Sequence, residues 1–227
     1  MNSKTYNLKL MATKTKGRIA PQIEEEFLTD TFAEQLASGQ VSDATVSNTT
    51  IPQLLSPRGQ FARIDRCIWN SVTLADPIAN GLRMEDVRIE NSDLANINLT
   101  GSSLARLEIL STRLTGATFA EAQLKSLLFR ECKLDFAFLR MMRLQQCIFE
   151  KCNLTDADFY GADLSGTIFS ECDLTRADLS QTKLSGADIR GCQLDGLRGT
   201  PATMNGLIIS PDQASLLITL FGIRVEW

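Results

Sequence analysis

Residues 157–191 read ADFYG-ADLSG-TIFSE-CDLTR-ADLSQ-TKLSG-ADIRG, and their spacing decides the fold. The central residue of each block is apolar. The same register runs unbroken from Ile64 to Leu194, through 27 fifth positions of which only Ala79 is small. Two residues earlier in each block lies a second, mostly small position, filled for instance by Ala62, Cys67, Ser92, Ala117, Cys132 and Ala157. The residues between are polar. A period of five is neither the 3.6 of a helix nor the 2.0 of a strand. Short internal repetition at a fixed period points to a solenoid, with the coil spanning residues 61–198.

Working outward from the coil, residues 1–20 are basic and poor in apolar groups, which predicts a flexible arm. Residues 21–40 carry Ile23, Phe27, Leu28, Phe32 and Leu36 at helical spacing, with Gly39 as a stop. Glu24 to Glu26 suit the first turn of that helix, whose apolar stripe is expected to cap the first coil. Residues 41–60 hold Val41, Val46 and Ile51, a partial coil, and then a loop at Pro52 and Pro57 that breaks the register before Ile64. In residues 199–227, SPDQASLLITLFG reads as a helix, with Ser210 as N-cap, Pro211 in the first turn, Gln213 completing a capping box and Gly222 as stop. Its apolar residues, Leu216 and Leu220 among them, surround it. One side is expected to cap the last coil and the other to form a homodimer, while IRVEW is expected to add an edge strand.

Composition narrows the chemistry. The 227 residues carry 23 basic and 27 acidic side chains, a net charge of −4, so no polycation predicts direct nucleic-acid binding. No apolar run is long enough to span a bilayer, and the N-terminus lacks the apolar core of a signal peptide. The expected location is the cytoplasm. The chain has no histidine, which removes the commonest general base and metal ligand. No Gly-rich phosphate loop is present either, and side chains on the outside of a convex rod diverge, so no enzyme and no cofactor is expected.

Blocks of the form A(D/N)LXX, seen here as ADFYG, ADLSG, CDLTR and ADIRG, resemble the pentapeptide-repeat family. The resemblance implies an all-β solenoid, a right-handed quadrilateral β-helix with short helical elements at both ends. Four blocks make one square turn, so residues twenty apart stack. One inward column is then all leucine from Leu74 to Leu194, and another contains Phe129, Phe149 and Phe169 in succession. At ~4.8 Å per coil the rod is roughly 30 Å long. All six cysteines, Cys67, Cys132, Cys147, Cys152, Cys172 and Cys192, fall on the small inward position. A straight ladder offers no tetrahedral convergence for zinc, so they are expected to pack as small hydrophobes, with no metal bound.

With the interior filled, function is expected on the surface. The Ile64 face is mildly basic, through Arg63, Arg66, Arg83, Arg106, Lys125, Arg143 and Lys183. The Leu74 face is mildly acidic, through Asp76, Asp93, Asp135, Asp156, Asp173 and Asp195. Apolar residues at outward positions, Leu128, Phe136, Phe138, Met141 and Ile148, cluster near one mid-rod coil and form a candidate interface, unless the chain's own termini cover them. The chain also resembles the quinolone-resistance members of the family, which are dimeric DNA mimics that bind DNA gyrase. Mimicry needs a dense line of negative charge. Residues 61–140 hold ten acidic and ten basic groups, and 141–198 hold nine against six. The leading expectation is therefore a non-enzymatic interaction protein with an unidentified protein partner, and gyrase is the alternative.

Overall fold

The computed structural model describes residues 17–25, 31–54, 62–220 and 222. Residues 1–16, the middle of the first expected helix with Phe27 and Leu28, the loop around Pro57 and the IRVEW terminus lie outside the described residues. Ten strands pair in parallel: β1 (Gln40–Ser42), β2 (Thr45–Ile51), β3 (Arg63–Leu74), β4 (Arg83–Glu90), β5 (Ser103–Leu110), β6 (Gln123–Lys125), β7 (Leu128–Arg130), β8 (Arg143–Gln145), β9 (Ile148–Glu150) and β10 (Ile168–Ser170). Among the described residues two helices flank them, α1 (Phe32–Leu36) and α2 (Pro211–Leu220).

The five-residue period becomes a twenty-residue coil. Ile64 pairs with Met84, Met84 with Leu104, Leu104 with Leu124 and Leu124 with Leu144. Isolated parallel bridges continue the ladder where strands are too short to assign, from Thr73–Asp93 to Asp178–Arg198. The first coil is the exception. Val41 pairs with Ile64, Val46 with Trp69 and Ile51 with Leu74, an offset of 23 absorbed between Ile51 and Ile64. The residue two after nearly every inward position turns the corner in the left-handed region, as at Asn96 (φ 58°) and Gly161 (φ 69°). That is why so many blocks end in glycine.

The inward columns form one continuous core of buried Leu, Ile, Phe, Ala and Cys. Phe129 and Phe149 stack with centroids 4.7 Å apart and planes 2° apart, and Phe149 and Phe169 follow at 4.9 Å and 7°. Like residues meet at the strand spacing, so successive rings stack face to face down the column. The cavity left between Trp69 and Phe119 is about 10 Å³, no more than the least that can hold one water. Both ends are closed. Phe32 of α1 is buried and meets the Trp69 ring edge-on at 5.7 Å. At the other end Gln213 of α2 donates from Nε2 to the carbonyls of Ile189 and Cys192, both at 2.9 Å. It thereby satisfies two acceptors that the last coil leaves open.

Candidate interaction surface

The outward positions follow from the ladder. Residues before and after each inward side chain point away from the core, and corner residues project between faces. On the Leu139 side, Phe138 stands in a column between Thr118 and Asp158. The corners on either side of it are Phe136 (φ 56°) and Met141 (φ 55°). A left-handed corner costs a side-chain-bearing residue about 1–2 kcal/mol relative to glycine. Phe136, Phe138 and Met141 are 56%, 49% and 57% exposed, although all three are large and apolar. Met141 lays its sulfur over Gly161, where a Cβ would clash with it. Tyr160, one coil further on, is exposed beside them and lies under the Arg140 guanidinium, 5.9 Å from its ring centroid. Arg140 is held in turn by Asp158 at 2.6 Å. The result is a bare apolar strip across one face of one coil, edged by charge.

Leu128 and Ile148 do not belong to that strip. They stand outside the barrel, in one column above Glu108, yet they are only 2% and 4% exposed. The N-terminal segment crosses this face. Arg18 donates to Glu108 at 3.1 Å, the Gln22 amide donates to Asp86 at 2.9 Å, and Arg88 donates to Glu25 at 2.8 Å. Gly17 (φ 100°) lies so close to Gln146 that a Cβ would meet its Nε2 at 2.5 Å. Residues 17–25 are thus laid along the rod. Sequence reasoning missed the segment because neither Arg18 nor Gln22 belongs to a periodic pattern.

The acidic residues of the Leu74 face are largely engaged. Asp93 accepts from Arg113 at 2.5 Å, and Asp156 accepts two bonds from Arg176 at 2.8 and 2.6 Å. These guanidinium bonds hold both carboxyls below the ordinary carboxylate range. Asp135 accepts from the Thr115 hydroxyl, while Asp76 and Asp173 accept the amides of Ile78 and Thr175. At Asp173 burial pushes the carboxyl up, but hydrogen bonds led by those from Thr175 bring it net below its usual value. Asp195 is exposed at the last coil.

The six thiols are free and buried. Those of Cys132, Cys152 and Cys172 donate to the carbonyls of Ile109, Phe129 and Phe149 at 3.2, 3.5 and 3.4 Å. Burial pushes Cys67 and Cys147 up to about 11 and raises Cys152 well above its usual value, so these thiols are poor nucleophiles. Among the described residues no three His, Cys, Asp or Glu side chains converge as a metal site. No described helix is long and apolar enough to cross a membrane. In α2, Leu217 is buried against the core, while Leu216 and Ile218 are half-buried. The side chain of Leu220 lies outside the described residues.

A family model described as pentapeptide repeats matches eight copies, over residues 83–119, 132–170 and 152–191. Among solved structures the chain is similar to a trypsin-treated variant of QnrB1, a plasmid-mediated fluoroquinolone resistance protein. The identity is 20%, the match covers 83% of this chain and 90% of that one, and the TM-score is 0.50. It is also similar to HetL, a pentapeptide-repeat protein involved in heterocyst differentiation regulation in the cyanobacterium Nostoc. That match has 16% identity, covers 92% of this chain and 94% of that one, and has a TM-score of 0.42. No curated protein sequence matches the chain.

Proposed function

Because this chain belongs to the pentapeptide-repeat family, we propose that it is a non-enzymatic scaffold that binds a protein partner through Phe136, Phe138 and Met141. The supporting observation is that these three large apolar side chains stand about half exposed together across one face of one coil. Apolar surface kept bare at positions that favour glycine marks an interface better than composition does. The filled core argues against catalysis, since the reacting groups of a pocket enzyme need a concave, shared site. A photo-crosslinker at position 138 is expected to capture a discrete protein in cells. The same probe at position 113, on another face, is not. Serine at 136 and 141 should abolish capture without lowering the melting temperature. Equal capture at both positions would overturn the reading.

DNA mimicry directed at gyrase ranks second. The likeness to QnrB1 is a likeness of fold, and Asp93 and Asp156 are neutralised by arginines on the face that would imitate phosphate. A supercoiling assay titrated with the purified protein separates the two readings. We also propose a homodimer through α2, on the half-buried Leu216 and Ile218. Leu216→Glu is expected to sediment as a monomer with its β signal retained in circular dichroism. A wild-type monomer at micromolar concentration would refute the dimer.

A further inference from the structure

Ion pairing along the rod is nearly complete for arginine, and the exceptions share one column. Of the 13 described arginines, 11 have a carboxylate partner, including Arg66, Arg106, Arg130 and Arg190. Arg83 and Arg143 have none. Both are exposed, and both stand in the outward column that runs Arg63, Arg83, Ser103, Gln123, Arg143. Ser103 and Gln123, also exposed, make no side-chain hydrogen bond. Unpaired donors thus fill four successive rungs. Arg63 and Arg83 face each other directly in register, a like-charge pairing that a sheet disfavours unless something neutralises it. The nearby Glu85 does so only weakly, since its contact to Arg63 is 3.4 Å and its other oxygen is taken by Arg106.

The surface beneath is hollowed. Gly81 and Gly101 leave the adjoining corners without side chains, and Ser103 and Ala105 are short, so an open depression of about 620 Å³ lies along Arg63, Arg83 and Gln123. Lys125 stands exposed on the same face, and the carboxylates bordering it are Glu85, the exposed corner Glu121 and, one rung beyond Arg143, Asp163, which contacts Lys183 at 3.7 Å. The local balance is positive on a chain of net charge −4.

We propose that this column is a binding strip for an extended, carboxylate-rich segment of a partner protein. Three rungs separate Arg83 from Arg143, about 14 Å at the strand spacing. An extended peptide presents side chains of one face at i, i+2 and i+4, and its i to i+4 span is also about 14 Å. Carboxylates at i and i+4 then meet Arg83 and Arg143, and the one at i+2 meets Ser103 and Gln123. The strip rests on unpaired donors, independently of the apolar patch, and either reading stands without the other.

The test uses the full chain labelled with nitrogen-15 and a probe peptide of about nine residues alternating serine and glutamate. At low salt the Nε–H signals of Arg83 and Arg143 are expected to shift together on titration, and the shifts should vanish at about 0.5 M salt. Arg83→Gln and Arg143→Gln should each weaken binding about twofold to fivefold, the range for an exposed ion pair. Arg113→Gln, which removes an arginine already paired on another face, should leave binding unchanged. Absence of any shift at low salt, or equal weakening by Arg113→Gln, overturns the proposal. Tighter binding of a duplex oligonucleotide at the same two arginines overturns the assignment to carboxylate.

Discussion

Two opposite faces of the same mid-rod coils carry large apolar residues at outward positions, with opposite outcomes. Leu128 and Ile148 are closed off on the face crossed by the N-terminal segment, whereas Phe136, Phe138 and Met141 on the other side are about half exposed. Both sets obey the same five-residue register and point away from the same core. An outward position in a solenoid therefore specifies direction and not environment. Environment depends on what lies over the coil, and here that includes a segment held by side-chain contacts distant in sequence, with Arg18 ninety residues from Glu108.

The largest effects test this distinction through one substitution made at three depths. Phe149→Asp places an unpaired carboxylate between stacked rings, and a cost of several kcal/mol should abolish cooperative folding. Ile148→Asp, one residue away and outward, should still destabilise by roughly 2–4 kcal/mol, because its site is closed to water. Phe138→Asp, equally outward but bare, should change stability by less than about 0.5 kcal/mol. Chemical denaturation of the three variants checks the order. If Ile148→Asp behaves like Phe138→Asp, the covered face is open in solution and the comparison fails.

The same contrast explains which features were legible in the sequence. The inward positions were readable from the five-residue register, and the Phe129–Phe149–Phe169 ladder followed once the family resemblance supplied four blocks per turn. The 23-residue first coil was visible as a broken register but not as a pairing, since Val41 to Ile51 carry too few repeats to set an offset. Gln213 was read as a helix-capping residue. It does accept the Ser210 amide at 2.9 Å, but its Nε2 also closes the last coil, a role fixed only once α2 docks. The outward apolar cluster was legible as a list and not as a patch. Local spacing could not separate Ile148 from Phe138, because burial of an outward residue depends on what lies over the coil, and Ile148 stands on the face that the N-terminal segment crosses. Charge behaved likewise. The sequence showed the Leu74 face as mildly acidic but not which carboxylates were paired; Arg113 and Arg176 lie in register with Asp93 and Asp156, twenty residues away.

The smallest effect compares two aspartates, one on each kind of surface, both with an arginine twenty residues further along. Asp86 is buried on the covered side and accepts from Arg106 and from the Gln22 amide. Burial pushes its carboxyl up, but these two donors more than offset that, and the group sits below the ordinary 3.8. A carboxyl with a depressed folded pKa contributes stability above its unfolded value and loses it as pH falls through the folded one. The window is therefore below pH 3.8, and protonation there weakens a contact that ties the N-terminal segment to the rod. The Gln22 amide should begin to exchange with solvent in that window before the coil amides do. Asp86→Asn should produce the same local exchange at neutral pH, at a cost of about 1–2 kcal/mol in global stability. Asp156 is held low by Arg176 in the same way, but it lies at the rod surface, partly exposed, and ties down no distant segment. Asp156→Asn should leave the Gln22 amide protected and the melting temperature unchanged at physiological salt. Amide exchange followed residue by residue reads both variants. Equal loss of Gln22 protection in the two would mean that the segment responds to the net charge of the rod and not to its own contact with Asp86.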